Sequence, residues 1–238
     1  RGMPGLIIKA GTENLLFDGG SGSLHRLEKA GVNFWDLNFL FYTHKHSDHT
    51  LDLIALLQAI KVDPFHNRTR PLFIHGPKGF SDFLNALARI FGKWLILPDE
   101  YDVSVKELSH DRIQYPFGTI STAPMQHSKA AVGYRMDSPD GRSITYSGDT
   151  DYCDEIIQLA TDTDILVLEC STPDDKKQDG HLTPTLAAKI AAQSNCRHLV
   201  LTHFYPVFEN VDILKICRQY FDGKITLAED LMQIEVGS

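Results

Sequence analysis

The stretch FYTHKHSDHT (residues 41–50) sets three histidines and an aspartate, His44, His46, Asp48 and His49, directly behind the apolar run LNFLFYT (residues 37–43). That run reads as a buried strand, and TLDLIALLQAI (residues 50–60) has helical spacing, with Leu51, Ile54, Ala55 and Leu57 placed to face a core. The cluster therefore sits at a strand-to-helix junction. An extended segment sends His44 and His46 one way, while the start of a helix sends Asp48 and His49 another, which suits two metals better than one. Zinc normally takes four ligands, and a catalytic site leaves one position for water. More ligands must come from elsewhere in the chain.

The candidates lie where predicted strands end. Asp18 closes NLLFDGG (14–20), His127 follows APMQ (123–126), Asp149 closes ITYSGD (144–149) and His203 closes LVLT (199–202). Side chains at such positions can converge on one rim of a sheet. The remaining pattern is uneven α/β. GLIIKA (5–10) and NLLF form an antiparallel pair, SLHRLEKAG (23–31) a helix ending at Gly31, PLFIHGP (71–77) a strand, and GFSDFLNALARIFG (79–92) a helix stopped by Gly92. The middle is strand-rich, with YDVSVKEL (101–108), GTISTAPMQ (118–126), AVGYRMD (131–137) and RSITYSGD (142–149), and SPDGR (138–142) signals a hairpin. The last third predicts helices over 154–160, 185–194 and 211–221, and strands at DILVLEC (164–170), HLVLTHF (198–204), 224–227 and 231–236. Strand-rich segments flanked by helices imply two packed sheets with helices outside.

With 238 residues and 42% hydrophobic content, the chain can bury a full core as a single domain over residues 1–238. A formal net charge of −8 gives no global footprint for nucleic acid or an anionic membrane surface. The basic clusters HNRTR (66–70) and DDKK (174–177) read as solvated loops. Cys153, Cys170, Cys196 and Cys217 form no C-x-x-C pair, which fits free thiols in a reducing, cytoplasmic compartment. No apolar run approaches the roughly 18 residues of a membrane span.

In order, FDGG, HKHSDH, QHS, SGDT and LTHF make the chain resemble the metallo-β-lactamase superfamily of metal-dependent hydrolases. The resemblance implies an α/β fold, an αβ/βα four-layer sandwich of two mixed β-sheets flanked by helices. It implies two Zn²⁺ ions, with Mn²⁺ or Fe²⁺ as alternatives. By it, His44, His46 and His127 hold one metal, Asp48, His49 and His203 the other, and Asp149 bridges, with Asp18 orienting the histidine loop through hydrogen bonds. The chain begins with an arginine, and the family's first strand and Gly-rich turn are expected upstream. A homodimer is expected on the same ground.

LVLECST (166–172) and DGHLTPTLAAKIA (179–191) are similar to the ribonuclease Z branch, in which a strand-end glutamate pairs with a histidine before a helix. Here these are Glu169 and His181. Thr183 and Pro184 also fit a capped helix start. The long RNA-gripping arm common in that branch has no room between His127 and Asp149, so a large folded RNA is disfavoured.

The expected enzyme is a dinuclear-zinc phosphodiesterase acting on a small or flexible phosphodiester: a cyclic nucleotide, a cyclic phosphate or an RNA end. Zinc lowers the pKa of water from about 15.7 to roughly 7. Asp48 would hold the ionised water, and His181, held by Glu169, would assist the leaving group. The alternative is hydrolysis of a carboxylic ester, thioester or lactone. A diiron redox protein usually carries glutamate where this chain has His46, and structural zinc favours thiolates in motifs, which are missing here. His25, His66, His75, His110 and His198 read as structural or surface residues, and Phe204, Tyr205 and Pro206 as a wall of the cleft.

Overall fold

The computed structural model describes residues 2–63, 65, 66, 68–96, 98–208 and 211–237. The chain folds as two compact units, the first ending at Leu108 and the second starting at Ser109. Among the described residues each unit contains one mixed sheet flanked by helices.

In the first unit the sheet runs in sequence order: β1 (Leu6–Ala10), β2 (Glu13–Phe17), β3 (Phe39–Phe41), β4 (Leu72–Pro77) and β5 (Val103–Leu108). β1 and β2 pair antiparallel, and every later pair is parallel. The register Phe17↔Phe41↔His75 places three rings side by side, stacked at 4.7 and 4.6 Å. The alternate residues Leu16, Leu40 and Ile74 join the core beneath the helices, as the period of two in a strand requires. Those helices are α1 (Ser23–Lys29), α2 (Ser47–Thr50), α3 (Asp52–Val62), α4 (Phe80–Phe91) and α5 (Lys93–Ile96).

α3 buries Leu53, Leu56, Leu57 and Ile60, spaced i, i+3, i+4 and i+7, while Leu51 stays 58% exposed. The expected face of Leu51, Ile54, Ala55 and Leu57 is thus rotated. Apolar residues lie on more than one face of α3, and the face that packs into the core with Leu40 and Ile74 is the one carried on to Ile60. HNRTR is not simply solvated either. Arg68 is buried and donates to the carbonyls of Trp35 and Pro71 and to Asn38 Oδ1.

The second unit holds a seven-stranded sheet. Its strands are β6 (Arg112–Tyr115), β7 (Gly118–Pro124), β8 (Val132–Asp137), β9 (Ser143–Tyr146), β10 (Ile165–Glu169), β11 (His198–Thr202) and β12 (Lys224–Leu227), lying in sequence order across the sheet. β6 to β9 form an antiparallel meander and β9 to β12 are parallel. α6 (Asp154–Leu159), α7 (Pro184–Gln193) and α8 (Ile213–Cys217) complete the unit. Ala187, Ala188, Ile190 and Ala191 of α7 pack on Leu166, Leu168, Leu199 and Leu201. The small alanine face suits close helix–sheet approach. β6 has no counterpart in the predicted strands, α8 is shorter than 211–221, and 231–236 forms no strand. No helix among the described residues is long and apolar enough to cross a membrane.

Candidate metal centre

In the first unit the site begins at the end of β2. Asp18 is fully buried in the left-handed region, at φ 56°, a conformation aspartate tolerates better than most residues. Its carboxylate accepts from Thr43 N at 2.8 Å, from the Thr43 hydroxyl, and from His49 Nδ1 at 2.8 Å. The Thr43 hydroxyl has one hydrogen and gives it to Asp18, so it accepts from His44 Nδ1 at 3.0 Å. Asp18 therefore sets the tautomers of His44 and His49, one through Thr43 and one directly, and each ring presents Nε2. His44 Nε2 lies 3.0 Å from His46 Nδ1, and His49 Nε2 lies 3.6 Å from Asp48 Oδ2. His44 is thus brought together with His46, and His49 with Asp48.

In the second unit Asp149, Glu169 and His203 follow or end the adjacent parallel strands β9, β10 and β11. β7 runs the same way as β9, because both are antiparallel to β8, so His127 reaches the same rim. His127 Nδ1 donates to Gly180 O at 2.8 Å, and His203 Nδ1 donates to Ser171 Oγ at 2.9 Å. Again each Nε2 is presented. His127 Nε2 lies 3.8 Å from Asp149 Oδ2, and His203 Nε2 lies 3.5 Å from Asp149 Oδ1. Both spacings are too long for hydrogen bonds. They are close to the ~3.3 Å that separates two ligand atoms on one tetrahedral zinc.

The donor chemistry fits a first-row divalent cation: imidazoles and carboxylates, with His44, His49, His127 and His203 each anchored by its other nitrogen. His127, Asp149 and His181 bring ligand atoms within 4.8 Å of one another, as do Glu169, His181 and His203.

Glu169 and His181 are brought together. Glu169 Oε1 accepts from His181 Nδ1 at 2.9 Å and from Thr150 N at 2.9 Å, while Oε2 accepts from the Ser171 hydroxyl at 2.5 Å. Burial raises the Glu169 pKa against the pull of the His181 bond. Burial lowers that of His181, but the Glu169 carboxylate, with Asp149 behind it, outweighs burial and raises it overall. The pair holds a proton with Nε2 of His181 facing outward.

The residues expected to wall the cleft go different ways. Phe204 packs into the core edge-on to Phe208, while Tyr205 faces His181. Sequence reasoning missed Ser171, Thr43, Asp151 and Gly180. Ser171 stands two residues past Glu169, the spacing that shares a strand face, so a signal existed. Asp151 ties down the loop before His181, accepting from Lys177 Nζ at 2.7 Å and Gly180 N at 2.9 Å. Lys177 of DDKK is thereby a latch rather than a free solvated charge.

A family profile described as Beta-lactamase superfamily domain matches residues 13–204. Ribonuclease Z of Methanothermobacter thermautotrophicus is 26% identical, over 99% of this chain and 92% of its own. Ribonuclease Z of Mycobacterium bovis is 29% identical over the same shares. Among solved structures, human tRNase Z, short form, superposes with a TM-score of 0.82 at 25% identity, covering 100% of this chain and 94% of that one. The metallo-β-lactamase fold protein YhfI of Bacillus subtilis also gives 0.82, at 23% identity over 96% and 90%. The two mixed sheets flanked by helices are thus the metallo-β-lactamase fold.

Proposed function

The chain belongs to the β-lactamase superfamily, and on that premise we propose that it is a dinuclear-zinc phosphodiesterase of the ribonuclease Z kind, acting on small or flexible phosphodiesters such as RNA ends and cyclic phosphates. The chain is a metal-dependent hydrolase of phosphodiester bonds. His44, His46, Asp48, His49, His127, Asp149 and His203 are assigned as the metal ligands, following the order of the motifs in the sequence. When bound, the cations neutralise phosphate charge and make water nucleophilic at neutral pH.

The chain's own residues supply the rest. Asp48, whose side chain is about one-third exposed, accepts a hydrogen bond from the attacking water. His181, with Nδ1 committed to Glu169, offers Nε2 to the departing oxygen and gives it a proton. Ser171 locks the pair, since its hydroxyl donates to Glu169 and accepts from His203. The observation that carries the reading is this Glu169–His181 contact beside Asp149, because a departing alkoxide needs an acid that acyl transfer to water does not require to the same degree.

The small substrate class is supported by the interval from His127 to Asp149, which β8, β9 and the Ser138–Arg142 turn fill. Four free, buried cysteines support a reducing, cytoplasmic setting. A homodimer rests on the resemblance alone.

The test is turnover of bis(p-nitrophenyl) phosphate against a panel of acyl thioesters, with metal content measured in parallel. We expect diester hydrolysis that is lost on chelation and restored by zinc. Hydrolysis of the thioesters alone would overturn the assignment.

A further inference from the structure

We propose that Tyr205 is a second donor to the leaving-group oxygen, paired with His181, and that it widens the enzyme's range to diesters of weakly acidic alcohols. The proposal rests on the phosphodiesterase reading above. Three observations, all within the second unit, carry it.

The Tyr205 hydroxyl lies 3.5 Å from His181 Nε2. That is the outer edge of hydrogen-bonding distance, a weak direct contact. It is also a separation that an oxygen at about 2.8 Å from each atom can bridge. Nε2 is the His181 nitrogen turned toward substrate, because Nδ1 is bound to Glu169 at 2.9 Å.

The ring is also positioned, not merely nearby. It meets His181 edge-on, with centroids 5.6 Å apart at 61°, and lies 5.5 Å from His203. Its backbone N–H donates at 3.1 Å to the carbonyl of Ser171, the residue whose hydroxyl locks Glu169. Finally, the local chain favours this placement. His203 turns out of β11 at φ 59°, and Pro206 restricts Tyr205 to extended backbone.

In the reaction, the attacking water oxygen bonds to phosphorus as the ester P–O bond breaks. The departing oxygen takes the proton from His181 Nε2, and the water's surplus proton passes to solvent. Tyr205 keeps its proton and donates a hydrogen bond to the same departing oxygen. Its contribution grows with the charge that this oxygen develops, so it matters most for the least acidic leaving groups.

The experiment compares metal-loaded wild-type and Tyr205→Phe enzymes on aryl esters of thymidine 5′-monophosphate, with phenols graded from p-nitrophenol to unsubstituted phenol. We expect the variant to lose activity increasingly along the series, reaching a kcat loss of roughly 10- to 100-fold on the phenyl ester, the range for a hydrogen bond to a charged group. Its plot of log kcat against leaving-group pKa should be steeper than that of the wild type, with zinc content unchanged. An equal loss on every ester, or none, overturns the role of Tyr205. Absence of wild-type turnover on all the esters instead overturns the phosphodiesterase reading, and this inference with it.

Discussion

Two histidines of this chain titrate in opposite directions because their neighbours differ. His181 has a carboxylate on Nδ1 and is raised above the ordinary value. His75, on β4, is 2% exposed and stacked on Phe41, and burial holds its pKa down at about 4, with Lys106 adding to the effect. The unfolded chain therefore binds a proton at this residue near pH 6.5, whereas the folded chain resists it until about pH 4. The stability that follows is complete above the unfolded pKa and is lost as pH falls toward the folded one, about 2 kcal/mol of it by pH 5. Replacing His75 by phenylalanine keeps a ring against Phe41 but removes the titration. We expect urea unfolding of the His75→Phe variant to be less acid-sensitive than that of the wild type between pH 7 and pH 5. Parallel losses in the two proteins would contradict this account of His75.

At the scale of elements, α2 matters beyond its four residues because it carries Asp48 and His49 and is stitched to the loop after β2. Gly19 N donates to His49 O at 2.8 Å, and Asp52 N donates to Gly19 O at 3.0 Å. Between these bonds Gly20 approaches so closely that a Cβ would lie 1.8 Å from Asp48 O, a backbone atom with no rotamer by which to yield. Gly20→Ala must therefore push α2 away, at a cost of about 1–3 kcal/mol and roughly 10-fold or more in zinc affinity. Zinc titration against a chromophoric competitor, with thermal melts alongside, measures both, and wild-type values for each would refute the packing argument. Both FDGG and HKHSDH were legible in the sequence because their residues follow apolar runs at strand ends. The contact between them was not, since it depends on backbone atoms that carry no residue signature. The same holds for His127, whose partner is the carbonyl of Gly180. β6 escaped because Arg112–Tyr115 alternates between exposed and half-buried residues and buries no apolar stripe. The face of α3 differs from the expected one because residues 51–60 carry apolar side chains on more than one face, and packing against the sheet rather than periodicity selects among them.

For the molecule as a whole, the formal charge of −8 and the proposed substrate must be reconciled. A protein that grips nucleic acid along its backbone does so with lysine and arginine, and neutralising six to ten phosphates makes affinity fall by about 10³–10⁵ between 50 and 200 mM salt. This chain has 23 basic residues against 31 acidic ones. Several of the basic residues are already committed internally: Arg68 to carbonyls, Lys177 to Asp151, and Arg135 to Asp137 and the carbonyl of Leu159. On the proposed reading, attraction of a phosphodiester would fall to the metal when bound and to His181, a contact with one phosphate rather than many. Counterion release should accordingly be small. We expect kcat/KM for a short oligoribonucleotide to drop by less than about 10-fold between 50 and 200 mM KCl, with a log–log slope near −1 rather than the steep slope of a many-phosphate contact. A precursor tRNA bearing the same 3′ end should be processed no more efficiently than the short RNA. A steep salt slope together with a strong preference for the folded precursor would mean that the chain recruits an extended basic surface, and the small-substrate reading would have to be abandoned while the hydrolytic chemistry stood.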